Sequence, residues 1–336
     1  MRIILLSGGS GKRLWPLSNH IRSKQFIPVF QAEDGSRLSM VQRVYRQIQK
    51  VDKEACITVA APLTQVSVLK SQLGDNVDIS VEPSRRDTFP AIVLASAYLH
   101  DVQGIALNEV VAVCPVDPYV ADDYYRCVQK MAALVEKGKA DLLLMGIEPT
   151  YPSEKYGYIM PLSTDNVSKV KAFREKPTAE QAAEYIAEGA LWNSGVFAYR
   201  LGYVLEKAHE CIDFIGYHDL YEKYDSLTKI SFDYAVVEKE KNIGVVRYAG
   251  EWKDLGTWNT FTEVMPESCI GMVTLGGNCR NTHVINELEI PILVAGTSNL
   301  VVVATPDGIL VTDKGASSFI KPAVEKITDE RGEEHV

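Results

Sequence analysis

Ile3-Ile4-Leu5-Leu6-Ser7-Gly8-Gly9-Ser10-Gly11-Lys12-Arg13-Leu14-Trp15-Pro16-Leu17-Ser18-Asn19-His20-Ile21-Arg22-Ser23-Lys24-Gln25 is the stretch from which the rest of the chain is read. A short apolar strand runs straight into a glycine-rich loop. The loop delivers Lys12, Arg13 and, after a gap, Lys24. Glycine lets a backbone turn tightly and leaves N–H groups open to an anion. The cations add the opposite charge. This design suits a polyphosphate, with Leu6, Gly8, Gly9, Gly11, Lys12 and Arg13 as nucleotide-binding candidates.

Two better-known phosphate loops do not fit. A P-loop needs a glycine five residues before its Gly-Lys pair and Ser or Thr after the lysine. Leu6 and Arg13 hold those positions. A dinucleotide fingerprint starting at Gly9-Ser10-Gly11 would need a third glycine where Leu14 stands. Pro16 also argues against a long helix directly after the loop. A nicotinamide dehydrogenase is thereby disfavoured.

Composition bounds the alternatives. The 336 residues suffice for one large domain and a smaller one. A formal net charge of −9 argues against a nucleic-acid partner. No apolar run reaches the length of a membrane span, and the N-terminal one is too short for a signal peptide. The six cysteines form no C-x-x-C pair, and several lie in apolar runs. Buried free thiols in a reducing cytoplasm are the expectation. The six histidines show no metal-ligand spacing.

Along the chain, short β-rich runs at Ile3–Leu6, Cys56–Ala60, Asp78–Val81, Glu109–Cys114 and Asp141–Gly146 alternate with helical patterns. Apolar residues recur at helical spacing over Met40–Val51 and Asp122–Glu136. This alternation predicts an α/β fold with a mostly parallel sheet and helices on both faces. Ligands then collect at the carboxyl ends of the strands, where the glycine loop and Asp117 both lie. From about 150 to 265 the alternation loosens, as an insertion would, with helices near Thr178–Gly189, Leu201–Cys211 and Asp233–Glu238. After Pro266, Gly276-Gly277-Asn278 and Thr305-Pro306-Asp307-Gly308 read as turns, and Leu300–Ala304 and Ile309–Thr312 as paired strands. The expected division is 1–265 for the catalytic domain and 266–336 for a small β domain, with a frayed end from Asp329.

The run Leu6-Ser7-Gly8-Gly9-Ser10-Gly11-Lys12-Arg13-Leu14-Trp15-Pro16-Leu17-Ser18, with Lys24-Gln25-Phe26, resembles the signature of sugar-nucleotide pyrophosphorylases. Its Leu-Trp-Pro-Leu-Ser ending is most similar to the mannose-1-phosphate guanylyltransferases of that family. Further matches follow in order. They are Glu82-Pro83 to Pro90-Ala91-Ile92, Pro115-Val116-Asp117, Tyr156-Gly157-Tyr158-Ile159, Phe173-Arg174-Glu175-Lys176-Pro177, Trp192-Asn193-Ser194-Gly195-Val196-Phe197 and Trp252-Lys253-Asp254-Leu255-Gly256-Thr257-Trp258. The resemblance implies a Rossmann-like (GT-A-like) nucleotidyltransferase with a short β-helix-like tail. It implies GTP and mannose 1-phosphate as substrates, GDP-mannose and pyrophosphate as products, and Mg²⁺ as cofactor. Another sugar or base is the alternative, as is a non-catalytic regulatory homologue; a homodimer is one possible assembly, and the sequence does not fix the oligomeric state.

Such a reaction needs no protein nucleophile. Two anions must be held in line and their charge neutralised. Arg13 can bind two phosphate oxygens at once. Lys24 matches the family lysine facing the reacting phosphates, and Lys176 the one that pairs with the sugar 1-phosphate; these three are the catalytic candidates. Glu175 and Asn193 can bond sugar hydroxyls, and Gly157 allows close approach. An exposed Glu–Lys neighbour pair is more often solvated than functional. Asp117 and Asp254 are the metal candidates, since Mg²⁺ takes one or two carboxylates plus substrate phosphates; a lone Asp is otherwise a turn or cap residue. Glu82, Pro83, Asp87 and Thr88 are expected at the base. Here Asp87-Thr88-Phe89 stands where the family has Asn-Thr-Ala, and Pro118 where it has His. Asp87 could meet guanine N1 and N2 or pair with Arg85 or Arg86.

Overall fold

The computed structural model describes residues 1–8, 12–19, 22–32 and 34–330. Contacts gather the chain into two compact units. The first comprises Met1–Gly8, Tyr45–Val116 and Val120–Trp252; the second comprises Gly9–Val44, Asp117–Tyr119 and Lys253–Val336. This grouping differs from a single cut near 266, because the segment after the glycine loop belongs with the C-terminal residues.

The first unit is built on one nine-stranded sheet. In chain order its strands are β1 (Arg2–Leu6), β2 (Cys56–Pro62), β3 (Asp78–Glu82), β4 (Val110–Pro115), β5 (Leu142–Ile147), β6 (Tyr158–Pro161), β7 (Val167–Arg174), β8 (Leu191–Arg200) and β9 (Ile243–Tyr248). The spatial order is β3-β2-β1-β4-β8-β5-β9-β7-β6, and β6 pairs with β8 as well. β5 is buried along its whole length, as expected of a strand covered on both sides. The β1, β2, β3 and β4 pairings are parallel, as is that of β5 with β9. β8 runs antiparallel to β4, β5 and β6, and β7 antiparallel to β6 and β9.

The sheet is therefore mixed, which corrects the mostly parallel expectation. The strands between about 150 and 250 extend this sheet, where a separate insertion was expected over about 150 to 265. A buried apolar run looks the same whichever way it points, so sequence pattern carries no strand direction.

Leu6 pairs with Pro115, and the Val116 N–H donates to the Leu6 carbonyl at 3.2 Å. The carboxyl ends of β1 and β4 are thus neighbours. The helix Thr88–Ala97 is buried almost all round, so it forms the core between strands and the helix Leu201–His209. The helix Asp122–Glu136 is amphipathic and buries Tyr124, Tyr125, Val128, Met131, Ala132 and Val135. No described helix is long and apolar enough to cross a membrane.

In the second unit, strands two apart in sequence pair in parallel. Cys269–Ile270 pairs with His283–Asn286, which pairs with Leu300–Thr305. Val273–Leu275 pairs with Ile292–Val294. Leu300–Thr305 and Gly308–Asp313 form the expected hairpin. Asp329 and Glu330 close the helix Lys321–Glu330, and the remainder of the end expected to fray, 331–336, lies outside the described residues. All six thiols are free, but only Cys114 is buried; Cys56 and Cys211 are exposed, against the expectation of buried cysteines. Cys56 opens its strand, where the outward face is uncovered.

Candidate active site

Each unit assembles its own part of the candidate set. In the first, β6, β7 and β8 are hydrogen-bonded neighbours, with Tyr158 opposite both Arg174 and Trp192. That register brings Gly157, Glu175, Lys176 and Asn193 together. The Asn193 N–H donates to the Gly157 carbonyl at 2.8 Å, and the Lys176 N–H to the Tyr156 carbonyl at 3.3 Å. A Cβ on Gly157 would lie 2.5 Å from Glu175 Oε2 and 2.7 Å from the Phe173 ring, so only glycine fits there. The Glu175 carboxylate is almost fully buried, and the Lys176 ammonium is paired with it. The pair is buried only at its carboxylate: the Lys176 side chain is 54% exposed and meets solvent. Burial pulls the Lys176 ammonium down, but Glu175, Tyr234 and Asp233 outweigh it and hold the group above its ordinary range. Lys176 adopts φ 45°, a left-handed conformation that turns the chain directly after β7.

Asp233 joins this set and was not anticipated as a ligand. Its Oδ1 accepts from Asn193 Nδ2 at 2.7 Å. Burial, and then the charge of Glu175, push its carboxyl up to about 7. The sequence Asp-Tyr-Ala-Val-Val shows only a helical pattern and carries no signal of this contact. An edge-to-face cluster of Tyr156, Trp192 and Trp252 walls the neighbouring backbone, with centroids 4.9 Å and 5.4 Å from Tyr156.

The base-reading candidates also lie in the first unit, and several are taken up by structure. Glu82 is 5% exposed and accepts the Tyr224 hydroxyl at 3.0 Å. Burial raises its carboxyl to about 7, with Tyr224 and Arg85 pulling the other way. Thr88 Oγ1 accepts the Phe232 N–H at 2.9 Å. Asp87, exposed and at φ 69°, caps the helix Thr88–Ala97 by accepting the Thr88 N–H at 2.7 Å. Arg86 donates to the Asp225 carbonyl. Phe89 is buried with its ring 6.4 Å from that of Phe232, so the change from a small residue is a core substitution. Pro83 is partly exposed in the bend after β3.

In the second unit Lys24 Nζ lies 3.1 Å from Asp117 Oδ2. A Cβ on Gly256 would lie 3.1 and 3.2 Å from the two Asp254 carboxylate oxygens and 3.4 Å from an Arg13 guanidinium nitrogen. The bare backbone of Gly256 keeps Arg13 and Asp254 close and uncrowded. Strand Pro118–Val120 pairs with Trp252–Asp254, so the segments carrying Asp117 and Asp254 are hydrogen-bonded neighbours. Pro118 is buried in that ribbon. Gly8 ends the described part of the loop, and nothing would crowd a side chain there. Gly9, Gly11 and the side chain of Lys12 lie outside the described residues. Leu6 contributes its carbonyl to the β1–β4 junction, as above. No group of three or more His, Cys, Asp or Glu side chains suited to a metal occurs among the described residues.

The Glu175–Lys176 pair, the paired segments that carry Asp117 and Asp254, and a glycine-rich sequence after the first strand suit phosphate handling in an α/β fold. The chain belongs to the nucleotidyl transferase family, whose model matches residues 2–269. It is 31% identical to the mannose-1-phosphate guanylyltransferase of Escherichia coli strain K12, over 99% of this chain and 74% of that protein. It is 32% identical to the xanthan biosynthesis protein XanB of Xanthomonas campestris pv. campestris strain B100, over 96% of this chain and 72% of that one. A crystal structure from Thermus thermophilus, described as a mannose-1-phosphate geranyltransferase, superposes with a TM-score of 0.78 at 28% identity, covering 97% of this chain and 98% of that one.

Proposed function

We propose that this enzyme makes GDP-mannose and pyrophosphate from GTP and mannose 1-phosphate. The observation that carries the reading is likeness over nearly the whole chain to relatives named for that activity. Two charge sets support it. Arg13 and Lys24 hold the triphosphate, and Lys176 holds the phosphate of the sugar. Glu175 and Asn193 bond the sugar hydroxyls beside it, and Gly157 lets them approach. A sugar-phosphate oxygen attacks the α-phosphorus as its bond to the bridging oxygen of the β-phosphate breaks and pyrophosphate leaves, and the cations neutralise charge that would otherwise repel the attack.

Asp117 and Asp254 suit Mg²⁺, since two carboxylates on paired segments leave the other coordination positions to phosphate oxygens and water. The open side of Asp254, where Gly256 has no Cβ, supports this fit. When bound, the ion offsets negative charge on the phosphates.

The parallel pairing of alternate strands in the second unit supports a short β-helix. Exposed Ile309, Val311 and Phe319 support a homodimer, and six free thiols suit the cytoplasm. Purified enzyme supplied with each of four nucleoside triphosphates and several sugar 1-phosphates tests the reading through pyrophosphate release. GTP with mannose 1-phosphate is expected to dominate. Equal use of another triphosphate would overturn the guanylyl assignment, and no release from any pair would favour a non-catalytic homologue.

A further inference from the structure

Asp233 opens the turn Asp233–Val237, and its carboxyl meets Asn193 of the sugar-phosphate set and feels the charges of Glu175 and Lys176. Oδ1 takes one Nδ2 proton of Asn193 at 2.7 Å. The Oδ1 atom of Asn193 accepts the Gly195 N–H at 3.2 Å, and its backbone N–H is tied to Gly157. The amide is therefore fixed from both ends. Its second Nδ2 proton and one Oδ1 lone pair remain for a ligand, in one orientation. The segment bearing Asp233 is itself anchored. The Phe232 N–H donates to Thr88 Oγ1, and the Phe232 ring packs 4.7 Å from Phe197 and 6.4 Å from Phe89. Glu175 and Lys176 lie close enough for their charges to act on Asp233.

We propose that Asp233 is a positioning residue for the sugar 1-phosphate, holding the Asn193 amide in the orientation that reads a sugar hydroxyl beside Glu175 and Lys176. The proposal rests on the reading of Glu175, Lys176 and Asn193 as the sugar-phosphate site. A buried donor whose partner is removed turns toward whatever acceptor remains or stays unpaired. Loss of Asp233 thus frees the amide to rotate and swap its oxygen and nitrogen. Sugar recognition suffers while the Arg13 and Lys24 set is untouched.

The full chain carrying Asp233→Ala or Asp233→Asn tests this. Readouts are KM and kcat for each substrate, mannose 1-phosphate binding by calorimetry, and a melting curve. Asp233→Ala is expected to raise KM and Kd for mannose 1-phosphate about tenfold or more, with KM for GTP within about twofold. Asp233→Asn keeps an oxygen that accepts from Asn193, so it should stay within about threefold of wild type. Asn193→Asp, which sets a second carboxylate against Asp233, should impair the same substrate. The proposal falls if Asp233→Ala leaves Kd unmoved or raises both KM values alike. It also falls if Asp233→Asn is as damaging as Asp233→Ala, or if Asn193→Asp behaves as wild type. A wild-type chain that binds no sugar 1-phosphate sinks the site reading itself; wild-type binding with an unaffected Asp233→Ala sinks this proposal alone.

Discussion

The sugar-phosphate set and the triphosphate set are held by different means. Gly157, Glu175, Lys176 and Asn193 sit on or beside three neighbouring strands, so backbone hydrogen bonds of one sheet fix their spacing. Arg13 and Lys24 sit on two short turns, Lys12–Leu14 and Lys24–Phe26, with no sheet of their own. Residues far along the chain secure that segment within the second unit. Arg22 bonds both oxygens of Glu287 at 2.8 Å, and Asn19 bonds Asp307 at 2.7 Å. Trp258 Nε1 donates to the Trp15 carbonyl at 3.3 Å. The Trp15 ring lies over Gly308, where a Cβ would sit 2.6 Å from it. A sheet-borne set tolerates change elsewhere, whereas a loop-borne set inherits the condition of whatever packs on it.

The largest effect is expected at the carboxylates. Asp254→Asn and Asp117→Asn keep shape and lose charge, and turnover should fall by about a thousandfold or more, since metal stabilisation of charge is worth several kcal/mol. Folding, followed by circular dichroism, should be unchanged. Near-full activity of either variant at ordinary Mg²⁺ would remove its metal role.

Lys176→Ala and Arg13→Ala come next and divide the two sets most directly. Each should weaken its own ligand by about 2–5 kcal/mol, Lys176→Ala the sugar 1-phosphate and Arg13→Ala the nucleotide. Separate titrations of the two ligands check this, and equal losses for both ligands in both variants would break the division.

Gly308→Ala should act more weakly, by about 1–3 kcal/mol through crowding of Trp15. Because Trp15 adjoins the Arg13 segment, the KM for nucleotide should rise while binding of sugar 1-phosphate stays the same. A fall in melting temperature with neither constant changed would mean that the packing carries stability alone.

The smallest effect on turnover is expected at Glu82. Its folded carboxyl titrates near 7 against an ordinary 4.5, so the native state keeps a proton that the unfolded chain loses between those values. Its stabilising contribution is full below about 4.5, is lost as pH rises to about 7, and is flat above. Glu82→Gln can still accept from Tyr224 and removes this slope. Melting temperatures at pH 5 and pH 8 should shift in the variant's favour at the higher pH; a difference independent of pH would contradict the assignment.

Sequence alone located much of this. The helices Met40–Val51 and Asp122–Glu136 lie where apolar spacing puts them, because one buried stripe on a helix leaves a local period. The glycine loop and the Glu175-Lys176 and Asn193 motifs were legible as short strings, and the resemblance supplied the chemistry. Strand direction, the pairing of Lys24 with Asp117, and the engagement of Glu82, Thr88 and Phe89 in the core were not. Each depends on which distant segment arrives opposite, and residue type does not encode that. Asp233 shows the limit most plainly. In the sequence it is the polar start of a helical turn; only the approach of β8 brings Asn193 to its carboxyl and only burial beside Glu175 changes its acidity. Local periodicity determined the elements, and desolvation by remote neighbours decided which of their polar groups are available to a ligand.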